Sequence, residues 1–152
     1  MNDEAVVARQ LGRPPRAFRR VVVRCPYGRP AVTEQWPHDA AGAPFPTTFY
    51  VTCPHLVAAI SRLEAAGGVE RWTHAVRADP ALRASLERAT GEQRRLRPEL
   101  PGGIGGSTRG GSLKCLHAHA AFALARPGYE LGERILGELD SLWPDSRCCS
   151  AE

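Results

Sequence analysis

The stretch LKCLHAHAAFALA, Leu113 to Ala125, limits most tightly what this chain can become. Its second half is rich in Ala and Leu, among the best helix formers, and carries no charge. Such a helix reads as core, so other elements must cover it. Its first half sets Cys115, His117 and His119 at alternate positions. Were the helix to run from Cys115, then Cys115 and His119, four apart, would share a face and His117 would point roughly the other way. Three such side chains in a core helix need partners. The segment predicts a site.

The rest of the chain divides by pattern. AFRRVVVRC, Ala17 to Cys25, has the β-branched run of a strand, PYG at 26–28 a turn, and PAVTEQW, Pro30 to Trp36, a second strand. TTFYVT, Thr47 to Thr52, gives a third. Pro54 then suits a first helical turn, and HLVAAISRLEAAGG follows with Leu56, Ile60 and Leu63 on one face and Gly67 as its C-cap. A short helix is expected over Glu70–Ala78, an amphipathic one capped by Asp79 over Ala81–Arg97, and a last one over Tyr129–Leu142. Leu100 to Ser112 is a glycine-rich loop, and Ser112 is placed to cap the helix of the Cys115 segment. The expected fold is α+β in a single domain: a small N-terminal antiparallel or mixed sheet followed by four to five helices. Residues 1–16 form an arm or short helix, 17–143 the domain, and 144–152 a frayed tail.

At 152 residues the chain is long enough for one real core. No apolar run approaches the ~20 residues of a membrane span, and the N-terminus lacks the apolar stretch of a signal peptide. A cytoplasmic protein is therefore expected, in which Cys25, Cys53, Cys115, Cys148 and Cys149 stay reduced. Five is also an odd number for a disulfide framework.

Three blocks carry a resemblance: RCPYGRPAVTEQ, PFPTTFYVTCPHLVAAISRLEAAG and KCLHAHAAFALARPG. Together they resemble the bacterial family catalogued as domain of unknown function 501, common in actinobacteria, over roughly Gly12 to Gly128. The resemblance implies an uncharacterised cytoplasmic protein and assigns no activity or catalytic residue. Cys148 and Cys149 lie outside these blocks.

Cys25, Cys53 and Cys115 each fall where an element begins or ends, which is where side chains from distant sequence converge. Cys53 and Cys115 also sit near helix starts, whose partial positive charge lowers a thiol pKa. With His119 they make a Cys₃His set suited to four-coordinate zinc, and His117 or His55 can replace His119. Three cysteines with an open position suit an iron–sulfur cluster equally, although the histidines favour zinc. The gaps of 28 and 62 residues match no zinc-finger spacing. Three buried cysteines acting as small hydrophobes remain the plain alternative.

Two other functions are open. The net charge is +4, yet residues 9–29 hold seven arginines and no acid, leaving the remainder at −3. Arg13, Arg16 and Arg20 are the arginines that a turn after Pro15 could gather into a patch for RNA or phosphate, with the cysteines as packing. Arg19 and Arg20, adjacent on a strand, should point to opposite faces. A cysteine-nucleophile enzyme using Cys53 with a nearby histidine is the third reading, acting on an unidentified small molecule. His38 and His74 read as solvated, and the glycine-rich loop lacks the residues of a phosphate-binding loop.

Overall fold

The computed structural model describes residues 2–106 and 113–149. Helix α1 (Asp3–Leu11) opens the chain. The Asn2 side chain accepts from the Ala5 amide at its start, and Gly12 ends it in the left-handed region at φ 74°. Val6 and Val7 turn inward, and Arg24 reaches back to Asp3 at 2.7 Å.

The sheet has the order β1-β2-β3 and is antiparallel throughout: β1 is Phe18–Arg24, β2 Pro30–Gln35 and β3 Phe49–Val51. Pro30 opens β2, where its missing N–H costs no ladder bond. Every residue of β2 is buried, including Thr33, Glu34 and Gln35. Their polar groups are therefore paired. Thr33 Oγ1 donates to Gln35 Oε1 at 2.7 Å, Gln35 Nε2 to the Thr48 carbonyl at 3.1 Å, and Thr48 Oγ1 to Gln93 Oε1 at 2.7 Å. The Arg97 guanidinium donates to the Gln35 carbonyl. Glu34 takes both Arg19 and Arg20 at 2.9 Å, although neighbours on a strand should diverge. A register shift between Phe18 and Arg20 turns the two side chains to one carboxylate.

Helices α2 (Pro54–Ala65), α3 (Gly68–Ala78) and α4 (Pro80–Leu96) follow. Pro54 and Pro80 occupy first turns, and Asp79 caps α4 by accepting from Ala81 and Leu82. A 3₁₀ turn at Ile104–Gly106 precedes α5 (Leu116–Ala125) and α6 (Glu130–Gly137). The sheet and helices expected from the sequence are present as one α+β unit, with six α-helices among the described residues, the first of them ahead of the sheet. Helix α6 stops at Gly137, short of Leu142: the Glu138 and Leu139 amides turn back to Ile135 and Leu136. Ser112, the expected cap of the Cys115 segment, lies outside the described residues. Among the described residues no helix is long and apolar enough to cross a membrane.

Helix α5 is the core element. Seven of its ten residues are buried, on all its sides, and it packs on β3 and α2 as well as α6. Phe122 meets Phe49 of β3 edge-on at 5.5 Å and Tyr129 at 5.8 Å, so one aromatic row joins the sheet to α5 and to the start of α6. The alanines let α6 approach closely. A Cβ on Gly132 would fall 2.6 Å from both Ala123 Cβ and the His119 carbonyl.

That contact gives a test. Gly132→Ala should destabilise the protein by about 1–3 kcal/mol through overpacking, read as a lower urea midpoint at unchanged slope. Gly137→Ala, at the end of the same helix with nothing within 4 Å, should be neutral or stabilising. Equal effects would show that the close approach of α5 and α6 does not exist.

Candidate functional site

The candidate site forms where α5 begins. Cys115 is extended, at φ −161° and ψ 130°, and is the N-cap of α5, so the helix starts at Leu116. That one-residue difference changes which side chains meet. Cys115 is not on the helical face of His119; it lies beside His117, with Sγ 3.7 Å from Nδ1. The Glu64 carboxylate, from the last turn of α2, completes the group. Its Oε1 is 3.2 Å from His117 Nδ1, and its Oε2 accepts from the Leu116 amide at 2.7 Å. One ligand atom from each of Glu64, Cys115 and His117 lies within 4.8 Å of the others, and all three residues are half-buried. The trio could hold a metal ion.

The far side of the imidazole is also held. His117 Nε2 lies 3.2 Å from Ser61 Oγ and 3.4 Å from the Val57 carbonyl. A carbonyl only accepts, so this contact calls for a proton on Nε2, while on the other side the Glu64 carboxylate, which also only accepts, takes a proton from Nδ1 whenever the imidazole is charged. Burial alone would lower the His117 pKa, but the Cys115 sulfur and the Glu64 carboxylate outweigh it and raise it above the usual value. Val57, Ser61 and Glu64 follow an i, i+4, i+7 spacing, so one face of α2 receives the ring.

A cleft of about 640 Å³ opens at this point. Cys115 and His117 line it with Phe49, Tyr50 and Val57, and Arg13 and Lys114 line it as well. Among the described residues no acid lies in its wall. Thr52 Oγ1 and Gln10 Oε1, on residues of the same wall, are buried without a hydrogen-bond partner among the described residues.

The other residues expected at a metal lie elsewhere. Cys53, the N-cap of α2, is separated from Glu64 by eleven residues and about 16 Å of helical rise, so the two ends of α2 cannot share an ion. Its sulfur contacts Cys149 at 3.8 Å, and Cys25, just after β1, contacts Cys148 at 3.7 Å. His55 turns to Ser141, 3.1 Å from its hydroxyl. His119 is buried in the core, where its Nδ1 and the Tyr129 hydroxyl are hydrogen-bonded at 2.7 Å. Among the described residues the Cys₃His set is therefore not assembled, and Cys115 and His117 are the members that meet. One thiolate is too few for an iron–sulfur cluster. Cys53 is no activated nucleophile either: burial, reinforced by Cys149, pushes its thiol up to about 11 despite the helix start.

The arginines are largely engaged. Arg16 pairs with Asp39 at 2.9 Å and Arg20 with Glu34, whereas Arg13 lies in the cleft wall. Sequence reasoning missed Glu64 and Ser61. The signal for Glu64 was present: an acid in the last turn of a helix opposes that helix's dipole.

A family model described as "Protein of unknown function (DUF501)" matches residues 21–137. No curated protein and no solved structure matches the chain.

His119, two residues from the site but apart from it, sets a pH dependence. Burial holds its imidazole near 4 rather than 6.5. Between those values the unfolded chain takes up a proton that the folded chain refuses, so stability is full above pH 6.5 and falls as pH drops towards 4. The loss should approach about 3 kcal/mol, measured by urea unfolding at stepped pH. His119→Gln should be less stable at pH 7.5 yet flatter with pH. Parallel profiles for the two proteins would refute the assignment.

Proposed function

The chain belongs to the DUF501 family of proteins of unknown function, and from the geometry at the head of α5 we propose that it binds one divalent metal ion of the zinc class through Glu64, Cys115 and His117, with an open coordination position turned to the cleft. The observation that carries this reading is a match of separations. Tetrahedral zinc with bonds of about 2.0–2.3 Å sets a sulfur and a nitrogen ligand about 3.6 Å apart, and a nitrogen and an oxygen about 3.3 Å apart. Cys115 Sγ and His117 Nδ1 are 3.7 Å apart, and His117 Nδ1 and Glu64 Oε1 3.2 Å. The outer contacts support it too, since a ligating imidazole usually donates its other N–H and a ligating carboxylate is itself hydrogen-bonded.

Three protein ligands and an open position belong to reactive rather than closed structural zinc sites, and an ion held so polarises what enters the fourth position. The cleft is of small-molecule size. Arg13 and Lys114, with no acid among the described residues of the wall, favour a small anion, a carboxylate or a phosphate. The Thr52 hydroxyl offers that ligand a hydrogen bond that the described residues leave unmade. The engaged state of Arg16 and Arg20 weighs against extended nucleic acid.

Protein purified without chelator should carry close to one zinc per chain. Cobalt substituted for zinc should show the near-ultraviolet thiolate charge-transfer band and the strong visible bands of tetrahedral coordination. Cys115→Ser and His117→Ala should each weaken zinc binding by at least roughly 100-fold, while Cys25→Ser and Cys53→Ser leave it unchanged. The fold should survive loss of the ion, because Glu64 holds the Leu116 amide without it. Unaltered zinc affinity in the Cys115 and His117 variants would end this reading and leave Glu64–His117 as a plain ion pair.

A further inference from the structure

Four of the five cysteines take no part in the candidate metal site, and they are not scattered. The segment after α6 folds back over the body, where a frayed end was expected. The Tyr27 hydroxyl donates to the Pro144 carbonyl at 2.5 Å, and His55 holds Ser141. This places the adjacent Cys148 and Cys149 against two different thiols, Cys25 at 3.7 Å and Cys53 at 3.8 Å. Cys25 closes the turn after β1, where its amide and carbonyl bond to Arg29 and Gly28. Cys53 begins α2. Consecutive residues thus make two thiol pairs with cysteines 28 apart in sequence. All five cysteines are thiols here.

We infer that Cys53–Cys149 and Cys25–Cys148 are paired modification sites, oxidised by a low-molecular-weight disulfide to two crosslinks that fasten the C-terminal segment to the sheet and to α2. The sulfurs need to close by less than about 2 Å to reach disulfide length, and the 138–149 segment contains no α-helix or strand that would resist the shift.

The order of events follows from the surroundings. Cys149 is half-buried, the more accessible sulfur of its pair, and it accepts from the His55 amide at 3.4 Å in the first turn of α2. It attacks one sulfur of the external disulfide. A mixed disulfide forms and one thiolate leaves. Cys53, buried and held protonated by that burial, waits 3.8 Å away. As its proton passes to the thiolate released in the first exchange, Cys53 attacks the Cys149 sulfur and releases the second thiolate. Two protein thiols lose two electrons and two protons, and one external disulfide becomes two thiols. Cys25 and Cys148, both buried, react in the same way with a second equivalent once the tail shifts.

The test uses the full chain, reduced and then treated with oxidised glutathione. Intact mass should fall by about 2 Da for each crosslink, and peptide mapping should join the C-terminal peptide to those of Cys25 and Cys53. Cys149→Ser should keep only the link to Cys25, and Cys148→Ser only the link to Cys53. Cys115 should stay outside every crosslink. Oxidised wild type should unfold at least about 5 °C above the reduced form, because each crosslink closes a long loop. The proposal is overturned by a stable glutathione adduct as end product, by a Cys148–Cys149 link that persists in the Cys25→Ser, Cys53→Ser double variant, or by crosslinks that include Cys115. It is equally overturned if zinc is held in His117→Ala and lost in Cys149→Ser, which would make the thiol pairs a metal site. The crosslink outcomes are read from mass and peptide mapping alone and do not depend on the Glu64–Cys115–His117 reading.

Discussion

The burial of α5 is the constraint on which the rest depends. A helix apolar on every side can lie only in the middle, and its first amides then face no bulk water. Cys115, at the N-cap, makes no side-chain cap bond. The Glu64 carboxylate takes over by accepting from Leu116 at 2.7 Å. A negative charge at the last turn of α2 is misplaced for α2 and well placed for α5, at a few tenths to one kcal/mol in each case. The gain at α5 also covers an amide that would otherwise be buried unpaired, which is the larger effect. Folding thus fixes one carboxylate oxygen and leaves the other facing His117.

His117 is held as firmly, from its opposite side. Ser61 and Val57 stand one and two turns before Glu64 on the same face of α2, so a single helix face sets the ring's position: the Val57 carbonyl demands a donor, and Nε2 is that donor. A site supported this way is arranged before any ion arrives. Only Cys115 comes from outside the helical frame. Its extended backbone carries the sulfur back to Nδ1 instead of up the helix towards His119.

That backbone also explains what could be read in the sequence and what could not. The three strands, α2 and α4 were legible because β-branched runs, helical spacing, Pro54 and the Asp79–Pro80 pair act locally. The start of α5 was not. Placing it at Cys115 instead of Leu116 rotates the whole prediction, pairing Cys115 with His119 when its neighbour is His117. His119 turns its Nδ1 to the Tyr129 hydroxyl, ten residues on, through the packing of α6 that Gly132 permits, and its Nε2 has no partner among the described residues. Arg19 and Arg20 share Glu34 because of a register shift that the alternation rule does not contain. The thiol contacts of the tail join residues up to 123 apart, and no periodicity reports such a pairing.

The same helix separates two kinds of sulfur chemistry. The first turn of α2 presents backbone amides, and Cys149 sits there with the His55 amide on its sulfur. The last turn presents Glu64, where Cys115 meets an imidazole and a carboxylate. In the proposed chemistry the Cys149 sulfur at the first turn exchanges with another disulfide, whereas the Cys115 sulfur at the last turn shares a divalent ion with Glu64 and His117. With about 16 Å of helix between Cys53 and Glu64, neither chemistry intrudes on the other.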